Sequence, residues 1–150
     1  MANQNTFKQA PLPFIGQKRM FLKHFETVLN ENIKGDGEDW TIIDTFGGSG
    51  LLSHAAKVIK PKAHVIYNDF DGYAERLAHI DDINKLRAEL YSVVGNATPK
   101  NKRMTKDCKA ECIRIIQNFK GYKDLNCLAS WLLFSGQQVA TLNDLFQHDF

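Results

Sequence analysis

Asp44 closes a β-branched run, Thr41-Ile42-Ile43-Asp44, and a turn with three glycines follows it, Thr45-Phe46-Gly47-Gly48-Ser49-Gly50. Glycine has no Cβ and takes positive φ readily, so such a turn brings bare backbone close to a ligand. The helical pattern that opens at Leu51 adds unpaired amides and a partial positive charge, which suit a polar ligand group. Asp44, at the carboxyl end of its strand, accepts hydrogen bonds from ligand or loop and suits an ammonium or sulfonium better than a phosphate. Asp69 stands about twenty positions beyond Gly48, the offset at which a second-strand acid meets ribose hydroxyls. A carboxylate accepts from both hydroxyls of a diol, and Phe70 beside it offers a flat face to an adenine. Together these residues read as a pocket for a nucleoside ligand. The same residues also admit a tight structural turn, with Asp69 capping the next helix.

The elements that must position them follow from hydrophobic periodicity. Pro11-Leu12-Pro13-Phe14-Ile15-Gly16 is extended, because each proline biases its predecessor away from helix. Met20, Phe21, Leu22, Phe25, Val28, Leu29 and Ile33 recur at helical spacing, which predicts an amphipathic helix from Gln17 to Asn32. Gly35-Asp36-Gly37 is a loop. A first strand spans Trp40 to Asp44, and a helix runs from Leu51 to about Lys60, where Pro61 blocks it. Val65-Ile66-Tyr67 is a second strand that delivers Asp69. Residues 73–94 carry helical periodicity, 95–106 read as a basic loop, and helices follow at about 105–119 and 124–134. Residues 135–150 show no clear period. The fold class is α/β with a helical extension, divided into a ligand-binding part at 1–94 and a helical part at 95–150.

Composition narrows the function classes. At 150 residues, with 43% hydrophobic and 24% charged residues, the chain is a globular domain able to bury most of its core. A net charge of +2 does not by itself argue for nucleic acid. No segment approaches the ~20 apolar residues of a membrane helix, and the cytoplasm is the expected location. Three cysteines, an odd number, argue against a disulfide framework. Cys108 and Cys112 lie one helical turn apart, but Ile115 stands where a radical-type iron–sulfur motif needs its third cysteine. No Cys or His is spaced to complete a zinc site, so the cysteines read as small buried helix residues and no metal is expected.

Three motifs in one order carry a resemblance. Pro13-Phe14-Ile15-Gly16-Gln17-Lys18, then Asp44-Thr45-Phe46-Gly47-Gly48-Ser49-Gly50, then Asn68-Asp69-Phe70-Asp71 resembles the amino-terminal half of adenine-specific DNA methyltransferases. The likeness lies within residues 11–77 and fades over the helical remainder. It implies a Rossmann-like methyltransferase fold and S-adenosylmethionine as cofactor. Phe14 and Gly16 match the aromatic-x-Gly segment beside the cofactor, and Lys18 matches the lysine near the cofactor and target-base pocket. Asp44, Phe46, Gly48 and Gly50 match the loop around the methionine moiety, and Asp69, with Phe70 beside it, matches the ribose-holding acid.

The sequence departs from that family at the catalytic motif, Asp-Pro-Pro-Tyr or a variant, which holds the target amino group and stacks on a flipped base. The four prolines are Pro11, Pro13, Pro61 and Pro99, and no two are adjacent, so catalytic residues are assigned to none of these positions. Two parallel strands also make a poor sheet, since parallel sheets are buried on both faces. The expectation is a truncated or split protein, or a chain paired with a complementary one that carries the catalytic motif. The resemblance places DNA recognition where Lys100, Lys102, Arg103 and Lys106 cluster, with double-stranded DNA as partner. An ordinary solvated loop is the competing reading of that cluster. Trp131 to Gln138 resembles the helix and loop that carry recognition residues in the family, with Trp131 and Phe134 read as core.

Three functions stand at this point. The first is the cofactor-binding half of a DNA adenine methyltransferase, of the kind found in restriction-modification systems and inactive as this chain alone. The second is a non-catalytic S-adenosylmethionine-binding protein derived from such an enzyme. The third, a nicotinamide or flavin oxidoreductase, is disfavoured because Ser53 stands where the dinucleotide signature needs its third glycine.

Overall fold

Strands β1 (Thr41–Asp44) and β2 (His64–Tyr67) pair in parallel, with Thr41 opposite His64 and Asp44 opposite Tyr67. The computed structural model describes residues 7–98, 102–134 and 137–150, the side chains of 96 and 97 excepted. Parallel neighbours need a crossover, and helix α2 (Leu51–Ile59) supplies it. Helix α1 (Leu22–Asn32) precedes β1 and is entered through a 3-10 turn at Lys18–Phe21. The expected helix from Gln17 thus begins as a tighter turn and becomes regular at Leu22.

Leu29, Ile33 and Ala56 form a small core, against which Phe25, Ile42, Ile59 and Val65 pack. Helices α1 and α2 therefore cover one face of the strand pair, the face of Ile42 and Val65. Strand side chains alternate between faces, which puts Thr41, Ile43, His64 and Ile66 on the other one. That second face is bare, with Ile43 60% and Ile66 42% exposed. Lysine stems tie the far end of the unit: Lys57 Nζ donates to Ala63 O and Lys60 Nζ to Gly35 O, both at 2.9 Å.

The chain divides into two compact units, Met1–Glu75 and Arg76–Phe150. The boundary lies within helix α3 (Tyr73–Ala78), upstream of the division expected at residue 94. The second unit contains α4 (Ile80–Ala97), α5 (Lys106–Asn118), α6 (Leu125–Leu132) and α7 (Leu142–Gln147). Its core joins Leu86 and Leu90 of α4 to Cys108, Cys112 and Ile116 of α5, Leu128 and Leu132 of α6, and Leu145 of α7. Side-chain caps start three of these helices: Thr105 accepts from Cys108 N, Asp124 from Cys127 N and Thr141 from Asp144 N.

A buried ion pair anchors the second unit. Arg76 Nε donates to Asp124 Oδ2 at 2.6 Å and Arg76 Nη2 to Asp124 Oδ1 at 3.2 Å. The two side chains are only 8% and 2% exposed. Burial pushes the Asp124 carboxyl up, but the Arg76 and Cys127 hydrogen bonds outweigh it and hold Asp124 below the usual carboxylate range.

Three details differ from the periodicity reading. The stretch 73–94 is two helices parted at His79, whose ring stacks on Tyr122 at 4.3 Å and 5°. Helix α4 continues to Ala97, into the stretch expected to be loop. A short helix, α7, occupies part of the region without a period. The three cysteines are free and buried. Burial first, then the neighbouring charges of Cys108 and Asp124 respectively, pushes the Cys112 and Cys127 thiols up to about 12. Among the described residues no group of His, Cys, Asp and Glu could hold a metal ion, and no helix is long and apolar enough to cross a membrane.

Candidate functional site

The glycine loop sits at the carboxyl end of β1, and its glycines answer to specific neighbours. A Cβ on Gly47 would strike the Tyr67 ring, and one on Gly48 would come within 3.0 Å of Phe14 Cε1. Gly48 and Gly50 both have positive φ, 52° and 70°. Gly50 is the N-cap of α2 and offers no side chain, so the first turn of that helix has no side-chain cap. Amides without a capping side chain are what a polar or anionic ligand group can use.

Asp44 and Lys18 clamp this loop from below. Asp44 Oδ2 accepts from Ser53 Oγ of α2 at 2.7 Å. Lys18 Nζ lies 4.0 Å from Asp44 Oδ1 and donates to Phe46 O. The lysine thus bridges the 3-10 turn, the strand end and the loop backbone. Gly16, two residues earlier, has φ 81° with open space where a side chain would be, so its role is to turn the chain toward Lys18. Phe14 packs edge-on against Tyr73 at 5.6 Å. The Tyr73 hydroxyl in turn donates to Leu12 O and accepts from Leu12 N. Those contacts fix the Pro-flanked segment against the end of the sheet.

Asp69 does two things at once. Its Oδ1 accepts from Tyr73 N at 2.7 Å and its Oδ2 from Ala74 N at 2.8 Å, which caps α3. The Tyr67 hydroxyl lies 2.8 Å from Asp69 Oδ1 and 2.6 Å from Gly48 O, with one proton to share between two acceptors. Counting lone pairs, Oδ2 keeps one acceptor position, and Oδ1 keeps one as well when the Tyr67 proton lies on Gly48 O. Burial raises its carboxyl, but the hydrogen bonds from Ala74, Tyr67 and Tyr73 more than compensate and hold it below the usual range. Burial, followed by the bond to Asp69 and its charge, moves the Tyr67 phenol upward, so it stays protonated at neutral pH.

Two residues at this edge escaped the sequence reading, Tyr67 and Ser53. Tyr67 ties the loop carbonyl of Gly48 to the acid Asp69, and its ring fills the space that Gly47 leaves. A polar aromatic as the last residue of β2, two before an acid, was the available signal. Ser53, at the third-glycine position of a dinucleotide signature, donates its hydroxyl to Asp44. Phe46 and Phe70 are 81% and 90% exposed, so two aromatic faces are free beside the loop and beside Asp69.

The basic cluster belongs to the second unit. Lys102 and Lys106 are exposed, and Lys106 opens α5. Arg103 Nη1 reaches Asp149 Oδ2 at 3.2 Å, an exposed pair that offsets part of the positive charge. Lys100 lies outside the described residues. Trp131 packs on the core, with Arg87 5.8 Å from its ring centroid, whereas Phe134 is exposed rather than part of the core.

Among proteins of known name, the chain is similar to a curated protein of Haemophilus influenzae called "Putative methyltransferase". The two are 69% identical over 150 residues, all of this chain and 51% of that protein. The chain therefore spans about half the length of the curated relative it matches. No protein-family model matches the chain, and no solved structure matches it.

Proposed function

We propose that this chain is the cofactor-binding half of an S-adenosylmethionine-dependent methyltransferase. Its acceptor is the exocyclic amine of adenine in double-stranded DNA. One observation carries the reading: Phe14, Lys18, the Phe46–Gly50 loop and Asp69 converge at the carboxyl end of two parallel strands. Ligands of open α/β sheets bind at that end. The name of the Haemophilus influenzae relative supports methyl transfer, and the three-motif resemblance supports the DNA adenine acceptor.

The residues present fit such a ligand. The free acceptor position on Asp69 Oδ2 receives one ribose hydroxyl, and Phe70 covers an adenine. The uncapped first turn of α2 receives the methionine carboxylate, and Phe46 shields that moiety. When bound, the cofactor supplies an electrophilic methyl group. The chain's own contribution is alignment, and the proton that the amine nitrogen loses on methylation would pass to water or to residues outside this chain. Lys102, Arg103 and Lys106, with Lys100, are placed in the proposal as phosphate contacts. The absent proline-proline motif leaves the holding of the target amine to residues outside this chain, so the purified chain is expected to transfer no methyl group to DNA.

Isothermal titration calorimetry with S-adenosylmethionine tests the reading. Wild type should bind, and Phe14→Ala and Asp69→Ala should bind at least tenfold more weakly, with circular dichroism confirming that each variant is folded. Equal affinity across the three proteins, or no binding by folded wild type, would remove the assignment.

A further inference from the structure

Pro11 and Pro13 lack an N–H, so Leu12 carries the one backbone donor of Pro11-Leu12-Pro13. Leu12 is buried, and a buried N–H needs a partner. The Tyr73 hydroxyl supplies it, accepting from Leu12 N at 3.0 Å and donating to Leu12 O at 3.1 Å. One phenol thus serves both backbone groups of a residue 61 positions away. The base of the same loop is closed by Gln17, whose Oε1 accepts from Ala10 N at 3.2 Å. Two residues beyond Leu12, the Phe14 ring meets the Tyr73 ring edge-on at 5.6 Å. Phe14 also sits against Gly48, where a Cβ would come within 3.0 Å of its ring. The Tyr73 amide is engaged as well, donating to Asp69 Oδ1 at 2.7 Å. The turn that returns Tyr73 to Asp69 is left-handed at Gly72, φ 65°. Tyr73, itself 1% exposed, therefore joins the proline-flanked segment, the glycine loop and the acid through its hydroxyl, ring and amide.

We propose that Tyr73 is a positioning residue of the ligand pocket, coupling the seat of Phe14 to the acid Asp69. The proposal rests on the reading of Phe14 and Asp69 as ligand contacts, and adds that neither is set independently of the other. A ligand hydroxyl on Asp69 steadies the carboxylate that holds the Tyr73 amide. The ring and hydroxyl of Tyr73 pass that restraint to Phe14 and Leu12. Coupling of this kind is reciprocal, so a ligand seated against Phe14 steadies Asp69 in return. Loss of the link therefore costs affinity although no ligand contact is removed. A tie that served stability alone would lower the melting temperature and leave affinity where it was.

Hydrogen exchange followed by NMR on the full chain tests the link without any ligand. In Tyr73→Phe, which keeps the ring, and in Asp69→Ala, the Leu12 amide should exchange at least tenfold faster than in wild type. The Lys60 amide, bonded to Ala56 O in α2, should keep its rate in both. Calorimetry with S-adenosylmethionine tests the consequence: Tyr73→Phe should bind at least fivefold more weakly while circular dichroism shows it folded. Adding Phe14→Ala to Tyr73→Phe should cost less affinity than Phe14→Ala costs wild type, the mark of residues that act together. Thr105→Ala, which removes the α5 cap, is the control and should lower melting with affinity unchanged. Leu12 exchange indifferent to Asp69→Ala would overturn the proposal whatever the ligand is. So would wild-type affinity in Tyr73→Phe, or additive losses in the double variant. Failure of folded wild type to bind S-adenosylmethionine would instead remove the ligand reading, and the exchange rates would still decide the link.

Discussion

Tyr67 is the residue on which the two halves of the candidate site depend. Its hydroxyl is the only side-chain link described between the glycine loop and Asp69. Tyr67→Phe removes that link and keeps the ring that Gly47 accommodates. Unfolding should become easier by about 0.5–1.5 kcal/mol, the usual net worth of such a bond. If the loop and the acid bind one ligand together, the same variant weakens S-adenosylmethionine binding in calorimetry by more than its change in stability explains. A fall in stability with unchanged affinity would make Tyr67 a structural strut alone. Lys18 belongs to the same scale, since it holds the Phe46 carbonyl and sits beside Asp44. Its contact is legible only in three dimensions, because the partner is a backbone oxygen distant in sequence.

At the scale of elements, the helical unit rests on the joint between α3 and α6. Arg76 and Asp124 are buried, and removing one partner leaves the other charge without compensation. Asp124→Ala should therefore cost about 3–5 kcal/mol in urea unfolding, more than the loss of the α6 cap alone would explain. The pH dependence follows from the depressed carboxyls of Asp124 and Asp69. A folded-state value below the unfolded one contributes stability that is present above the unfolded value, about 3.9 for aspartate, and is lost as pH falls through the folded value. Thermal melting should be flat from pH 7 to about 5 with respect to these groups and should fall below about pH 4. In Asp124→Asn that acid-side fall should be shallower. The helices themselves were largely visible in the spacing of apolar residues, and caps at Thr105 and Asp124 mark two starts. The break at His79 was not; there the ring stacks on Tyr122, a residue distant in sequence.

At the scale of the molecule, the first unit has a sheet with one covered face and one bare face, and the second is a helical core with its own buried ion pair. The uncovered strand pair is the feature that gives the likeness to half of a longer protein its physical meaning. A domain of this length can bury a core, and this one does so mainly among helices α4 to α7. The sheet unit buries Leu29, Ile33 and Ala56 between its helices and strands, with Leu12, Leu51 and Tyr73 buried elsewhere in it.

The sequence alone determined what depends on neighbours along the chain. Thr41–Asp44 is a strand because its residues are β-branched, and Pro61 stops a helix because it lacks an N–H. The three glycines after Asp44 announce a turn of unusual backbone. Hence the α/β class, the order of elements from α1 to β2 and the end of the sheet where Asp44 and Asp69 lie follow from the sequence. Only the tertiary structure decided how Asp69 spends its lone pairs, which depends on where α3 and Tyr67 come to rest. It also decided that Gly47 and Gly48 make room for protein rings, Tyr67 and Phe14, because no local pattern records which side chain will arrive from another element. The bare face of Ile43 and Ile66 is of the same kind. Alternation says that two faces exist, and packing alone says which of them the helices leave open.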